Sequence, residues 1–198
     1  MRRHAPKAGA PELLLFHGNG EVVADWDAAA PHFASAAGVN LVVADYPGYG
    51  QSEGEPTLRG IITGAAAVAD AVRPYAVMGR SLGSACANEL IGQGRAYRHV
   101  LESGFVDLAA LVRRRGLSLP EPFEPEPLFD PLSKLRRGQG RLLVLHGADD
   151  ALISAEEARA AFAAAAMPDK ELVLIPGRGH NDLSFAPEYW RALAAFLG

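Results

Sequence analysis

The chain has 198 residues, enough for one domain with a sizeable core. Its 49% hydrophobic and 21% charged residues exclude a mostly disordered chain, and 19 Lys+Arg against 23 Asp+Glu leave a net charge of −4, without the basic excess of a nucleic-acid binder. A single cysteine excludes an internal disulfide framework and any Cys-only metal site. No apolar run approaches the ~20 residues of a membrane span. The first residues, MRRHAPKAGAPE, carry basic groups but no apolar stretch of the kind a secretory signal needs. The expectation is a cytoplasmic protein with a single domain over 1–198.

In chain order, short apolar runs predict strands at Glu12–Phe16, Val39–Ala44, Tyr75–Met78, His99–Leu101, Arg141–Leu145 and Glu171–Ile175. Their apolar character is nearly continuous instead of alternating, as in parallel strands covered on both faces. Ala-rich or amphipathic segments between them predict helices at Asp27–Ala37, Leu58–Val72, Leu82–Ile91, Asp107–Arg115, Ser154–Ala166 and Pro187–Leu197. Ser154 reads as an N-cap, with Glu156 and Glu157 at the positive end of its helix. Such alternation gives an α/β fold with a mostly parallel sheet. The segment 104–140 departs from the pattern. Its LSLPEPFEPEPLFDPL run forbids a long helix or central strand and predicts a loop-rich, lid-like excursion.

Gly79-Arg80-Ser81-Leu82-Gly83 is a G-x-S-x-G sequence directly after a predicted strand and directly before a predicted helix. That setting suits a nucleophile elbow, a turn so tight that only glycine fits two residues either side of the serine. A serine hydroxyl needs a base. Of six histidines, His99, His146 and His180 follow Ser81, and only His180 stands in a glycine-bearing loop after the last strand. The partner acid should leave the preceding strand, where Asp149 and Asp150 stand together. Asp150 is preferred; Asp149 fits a turn or cap, and Asp182 is a remoter choice. Acyl transfer also needs donors for an oxyanion, and the backbone amides of Asn19, in Phe16-His17-Gly18-Asn19-Gly20, and of Leu82 are the expected pair.

These pieces together resemble the α/β-hydrolase superfamily from Leu13 to Leu197. The matching stretches are LLLFHGNG, VVADYPGYGQSEGEPT, VMGRSLGS, LESGF, FDPLSKL, LLVLHGADDALI and IPGRGHND. The chain is most similar in kind to small capless serine hydrolases: bacterial serine-aminopeptidase-like hydrolases and eukaryotic abhydrolase-domain depalmitoylating esterases. The resemblance implies the α/β-hydrolase fold with nucleophile and base at Ser81 and His180. The last position of its H-G-x-x-D pattern falls on Asp150. Gly104 stands where many relatives have proline, and the loop from Asp45 to Ser52 matches a turn that is mainly structural.

The implied activity is cleavage of a small-molecule carboxylic ester or thioester through an acyl-enzyme, with no metal or organic cofactor. Peptide cleavage is the alternative within the class, and a non-catalytic binding protein on the same scaffold is the alternative outside it. Leu111, Leu117, Leu119, Phe123, Leu128 and Phe129, in or beside the proline-rich excursion, are candidates for an apolar acyl cleft. Cys86 reads as core, and Arg113–Arg115 as a solvated helix end. Arg80 and Glu102 end two strands that would be neighbours, so a charge-assisted pair could brace the elbow. Finally, relatives begin with an antiparallel hairpin, for which MRRHAPKAGAP is too short. Its prolines and Gly9 argue against even one strand. Val39–Ala44 would then be a bare apolar edge, covered by a homodimer partner or, less expectedly, by the N-terminal segment.

Overall fold

The protein is described by a computed structural model that covers residues 1–116, 118 and 126–198. Among these residues, seven strands form one sheet in the order β1-β3-β2-β4-β5-β6-β7. They are β1 (Arg2–His4), β2 (Glu12–Phe16), β3 (Asn40–Ala44), β4 (Ala76–Arg80), β5 (Arg98–Glu102), β6 (Arg141–Gly147) and β7 (Asp169–Ile175). All neighbours run parallel except β1, which is antiparallel to β3. The six predicted strands are therefore all present, within about two residues at each end.

Their continuous apolar character has a direct cause. Successive side chains of a strand point to opposite faces, and here both faces carry a core. Leu14, Phe16, Val42 and Val77 point into one core. Leu13, Leu15, Val43 and Met78 point into the other. The first core is closed by α2 (Leu58–Val72), α3 (Ser84–Gly92) and α6 (Ala155–Ala164). The second is closed by α7 (Pro187–Leu197) and by a helical segment in which α1 (Ala30–His32) runs into a π-helical turn, Phe33–Ala37. The segment predicted as one helix over Asp27–Ala37 is thus preceded by a 3-10 turn, Val23–Trp26, and widens at its end, where Gly38 in the left-handed region stops it. No helix among the described residues is long and apolar enough to cross a membrane.

The excursion and the sheet edge each add a feature. The excursion contains a short helix, α5 (Pro131–Arg136), beyond α4 (Leu108–Arg114). Pro131 does not prevent it, because a first-turn position has no N–H bond to lose, and Asp130 caps it by accepting from the Ser133 amide at 3.1 Å. The N-terminal segment, expected to form no strand, does form one, and the less expected covering of the sheet edge is the one observed. Arg2–His4 pairs with Leu41–Val43, so β3 is not bare and the premise for a dimer through that edge does not hold. Pro6 and Pro11 lie outside the three-residue ladder and cost it nothing. The buried Asn40 side chain ties the returning loop down, accepting from the Lys7 amide at 3.1 Å and donating to the Lys7 carbonyl at 2.7 Å. Arg2 and Arg3 place charge on the new edge, which discourages further strand addition.

Candidate active site

β4 delivers the elbow. Ser81 has φ 50°, a conformation that strains any residue with a Cβ and lifts its hydroxyl clear of the turn. The flanking glycines are obligatory. A Cβ on Gly79 would meet Ala87 at 2.7 Å, and one on Gly83 would collide with the Phe16 carbonyl. After a 3-10 turn, Ser81–Gly83, α3 begins at Ser84.

The loops after β6 and β7 meet because Gly147 has no side chain. A Cβ there would collide with the carbonyl oxygens of Arg178 and Gly179. The Asp149 amide then donates to the Arg178 carbonyl at 3.0 Å, while the Asp149 side chain remains exposed. Asp182 accepts from the Gly179 amide at 2.7 Å and holds the turn that carries His180. Ser103, buried behind the loop, has its Oγ 3.4 Å from the His180 carbonyl. The structure thus brings Asp150 to His180 and gives Asp149 and Asp182 turn duties.

Asp150 Oδ2 lies 2.7 Å from His180 Nδ1, and His180 Nε2 lies 3.0 Å from Ser81 Oγ. An ionised carboxylate can only accept, so Nδ1 carries the proton and Nε2 offers its lone pair to the serine hydroxyl. The other Asp150 oxygen accepts from the Leu152 and Ile153 amides, both at 2.8 Å. His146, fully buried, places Nε2 2.8 Å from the Ile153 carbonyl and 3.3 Å from Asp150 Oδ2. Burial by itself would raise the Asp150 pKa. Hydrogen bonds from His146, His180 and the Ile153 amide overrule it and hold the carboxyl well below the usual carboxylate range. Asp150 is therefore a fixed anion at neutral pH.

Ser81 and His180 open into a cavity of about 540 Å³. Asn19 and Leu82, the residues expected to supply oxyanion donors, both line it. Tyr49 donates to Asn19 Oδ1 at 2.5 Å, and Tyr46 donates to the His17 carbonyl at 2.6 Å, so the loop after β3 braces the loop after β2. One wall is apolar, formed by Leu58, Phe105, Leu108, Leu111, Leu152 and Ile153. Of the candidates for an acyl cleft, Leu111 lies on this wall. Phe129 is buried behind it, stacked on Phe105 with ring centroids 5.1 Å apart, and Leu128 packs into the same cluster. Both are supports instead of lining, because the turn into α5 directs them inward. Leu117, Leu119 and Phe123 lie outside the described residues.

The expected brace is present: Arg80 Nε donates to Glu102 Oε1 at 3.1 Å. It is larger than the sequence suggests. Arg80 also pairs with Glu21 and donates to Asn181 Oδ1 at 2.7 Å, and Tyr189 donates to Glu102 Oε2 at 2.7 Å. Burial pushes the Glu102 carboxyl up, against the pull of Arg80 and Tyr189. Glu21, Asn181 and Tyr189 were not legible as site residues. Only the acidic residue three positions after Gly18 offered a signal, since Glu21 Oε2 accepts from the Gly18 amide at 2.9 Å. Among the described residues no cluster of three His, Cys, Asp or Glu side chains could hold a metal ion.

No protein-family model matches the chain. It is 26% identical over 198 residues to human alpha/beta hydrolase domain-containing protein 17B, covering 93% of this chain and 65% of that protein. It is 30% identical over 190 residues to a protein of Mycobacterium tuberculosis, covering 90% of this chain and 66% of the relative. The chain therefore spans about two thirds or slightly less of these curated relatives. An esterase from Pyrococcus furiosus superposes with a TM-score of 0.75 at 19% identity, over 96% of this chain and 83% of that one, which establishes a shared fold.

Proposed function

We propose that this chain, a member of the α/β-hydrolase superfamily, is a serine hydrolase that cleaves a carboxylic ester or thioester through an acyl-enzyme. The observation that carries this reading is the continuous relay from Asp150 through His180 to Ser81, at 2.7 and 3.0 Å. His180 Nε2 takes the hydroxyl proton as Ser81 Oγ attacks the acyl carbonyl. The amides of Leu82 and Asn19 donate to the resulting oxyanion, and Asp150 balances the imidazolium. His180 then returns the proton to the leaving group. Water, activated by the same nitrogen, releases the acid.

The apolar wall supports a hydrocarbon acyl group, and the esterase among the structural relatives supports an ester over a peptide. A fluorophosphonate probe tests the nucleophile: the wild type should label stoichiometrically and Ser81→Ala should not. Hydrolysis of a series of p-nitrophenyl esters, against matched thioesters and aminoacyl anilides, tests the bond cleaved. Absence of labelling in a folded wild type would overturn the reading.

A further inference from the structure

The cavity beside Ser81 has two chemically different halves, and the polar half is not used by the relay. The apolar liners Phe105, Leu108, Leu111, Leu152 and Ile153 belong to a single packed cluster. The polar liners form a second unit. Arg80 bridges Glu21 to Asn181, and Asn19 stands at the same end of β2 as Glu21. We propose that this polar half is the leaving-group subsite, that it selects a neutral alcohol bearing a second hydroxyl, and that Glu21 and Asn181 determine the selection. The proposal rests on the serine-hydrolase reading above.

An ester divides at its carbonyl into two parts, and only one of them fits a hydrocarbon wall. The leaving oxygen must face His180 Nε2 to receive its proton. The polar unit includes the residue that follows His180, so the alcohol part falls on that side. The hydrogen-bonding capacity there is specific. Asn181 Oδ1 is occupied by Arg80 and Asn19 Oδ1 by Tyr49, which leaves the two amide NH2 groups as donors. Glu21 uses one oxygen on Arg80 and the other on the Gly18 amide, and each carboxylate oxygen keeps a second lone pair for a hydroxyl.

Charge excludes the other polar leaving groups. Arg80 is 9% exposed and already shared between two carboxylates, Glu21 and Glu102, so a phosphate-bearing group in this half would meet an acidic flank; the cavity's other arginine, Arg115, ends α4, whose Leu108 and Leu111 form the apolar wall. A purely hydrocarbon alcohol would strip water from these groups and return no hydrogen bond.

The test uses two nearly isosteric esters, 2-hydroxyethyl butyrate and propyl butyrate, which differ by OH against CH3 at the end of the alcohol. Butyrate release by the full chain gives kcat/KM for each. The hydroxylated ester should be favoured by about tenfold or more, because a site built to bond a hydroxyl discriminates against its absence. Glu21→Gln and Asn181→Ala should each shrink that ratio several-fold. The ratio within one variant cancels any uniform loss from a disturbed elbow, and the wild-type ratio needs no variant to fold. Fluorophosphonate labelling is run on the same samples. A labelled wild type with a ratio near one, or variants that keep the full wild-type ratio, would overturn the leaving-group assignment while sparing the hydrolase reading. A folded wild type that neither labels nor releases butyrate would overturn both.

Discussion

Asp150→Asn is the most incisive single change, because its consequence follows from hydrogen-bond polarity alone. The substitution is isosteric. The amide oxygen can keep the two bonds from Leu152 and Ile153, both 2.8 Å in the native site, so the loop retains its shape. The amide nitrogen must then face His180 Nδ1, where Oδ2 sits at 2.7 Å. Two donors cannot share that bond, so the imidazole adopts the other tautomer and turns an N–H toward Ser81. Nε2, 3.0 Å from Oγ, can no longer accept the serine proton. Under the proposed mechanism, loss of this arrangement should cost about 10⁴ in kcat, or ~5.5 kcal/mol of transition-state stabilisation. The Asp149→Asn variant is the control, since that side chain is exposed and only its backbone amide, bonded to Arg178, is structural. It should stay within about threefold of wild type, as surface substitutions do. Single-turnover hydrolysis of p-nitrophenyl butyrate measures the chemical step, and circular dichroism checks the fold. If Asp149→Asn is the more damaging variant, or if both are equally mild, the assignment of the acid is wrong.

Arg80→Met removes the cation between two carboxylates and should destabilise the protein by about 3–5 kcal/mol in urea unfolding at neutral pH, because a buried charge is left without its partner. The penalty should shrink as pH falls, since Glu102, already raised by burial, can then take up a proton; a pH-independent penalty would contradict this. His99 is buried and its pKa is pushed down to about 4 by desolvation. The unfolded chain binds a proton near pH 6.5 that the folded chain refuses, so stability should fall between pH 6.5 and 4, by about 3 kcal/mol in full. His99→Leu should flatten that part of the profile, and an unchanged slope would refute the account. Asn40→Ala should cost about 1–3 kcal/mol and speed amide hydrogen exchange in β1, because the side chain's bonds to the Lys7–Ala10 loop are lost. Sedimentation should then report self-association through the uncovered β3, whereas a monomer with unchanged exchange would show that the ladder alone holds the edge.

Much of this protein is local information. A strand buried on both faces must be apolar at nearly every position, so ELLLF, NLVVA and RLLVL announce parallel strands without any knowledge of their neighbours. The helices of α2 and α7 follow from good helix formers with a Thr57 cap on one and Pro187 in the first turn of the other, and their predicted bounds match the observed ones. The elbow is legible for the same reason, because Gly79 and Gly83 are required by contacts within a strand–turn–helix unit and with its adjacent strand.

What the sequence leaves open involves partners far apart in the chain. The sequence favours Asp150 over Asp149 only by pattern; the physical reason appears when the loop after β7 is laid against Gly147 and Asp150 meets His180. Arg2–His4 has no strand signature of its own. It becomes a strand because β3 offers an open ladder, and Asn40, at the far end of a 33-residue separation, holds the intervening loop. Leu111, on α4, reaches the cavity wall while Leu128 and Phe129, just before α5, pack in the cluster behind it, a difference that only the tertiary placement of these segments decides. The Arg80 assembly gathers Glu21, Glu102, Asn181 and Tyr189 from four other places in the chain, because the C-terminal ends of the parallel strands and their loops converge on one rim of the sheet. Periodicity and capping are set within a few residues and can be read from them; pairings across such a rim exist only once the strand order is fixed.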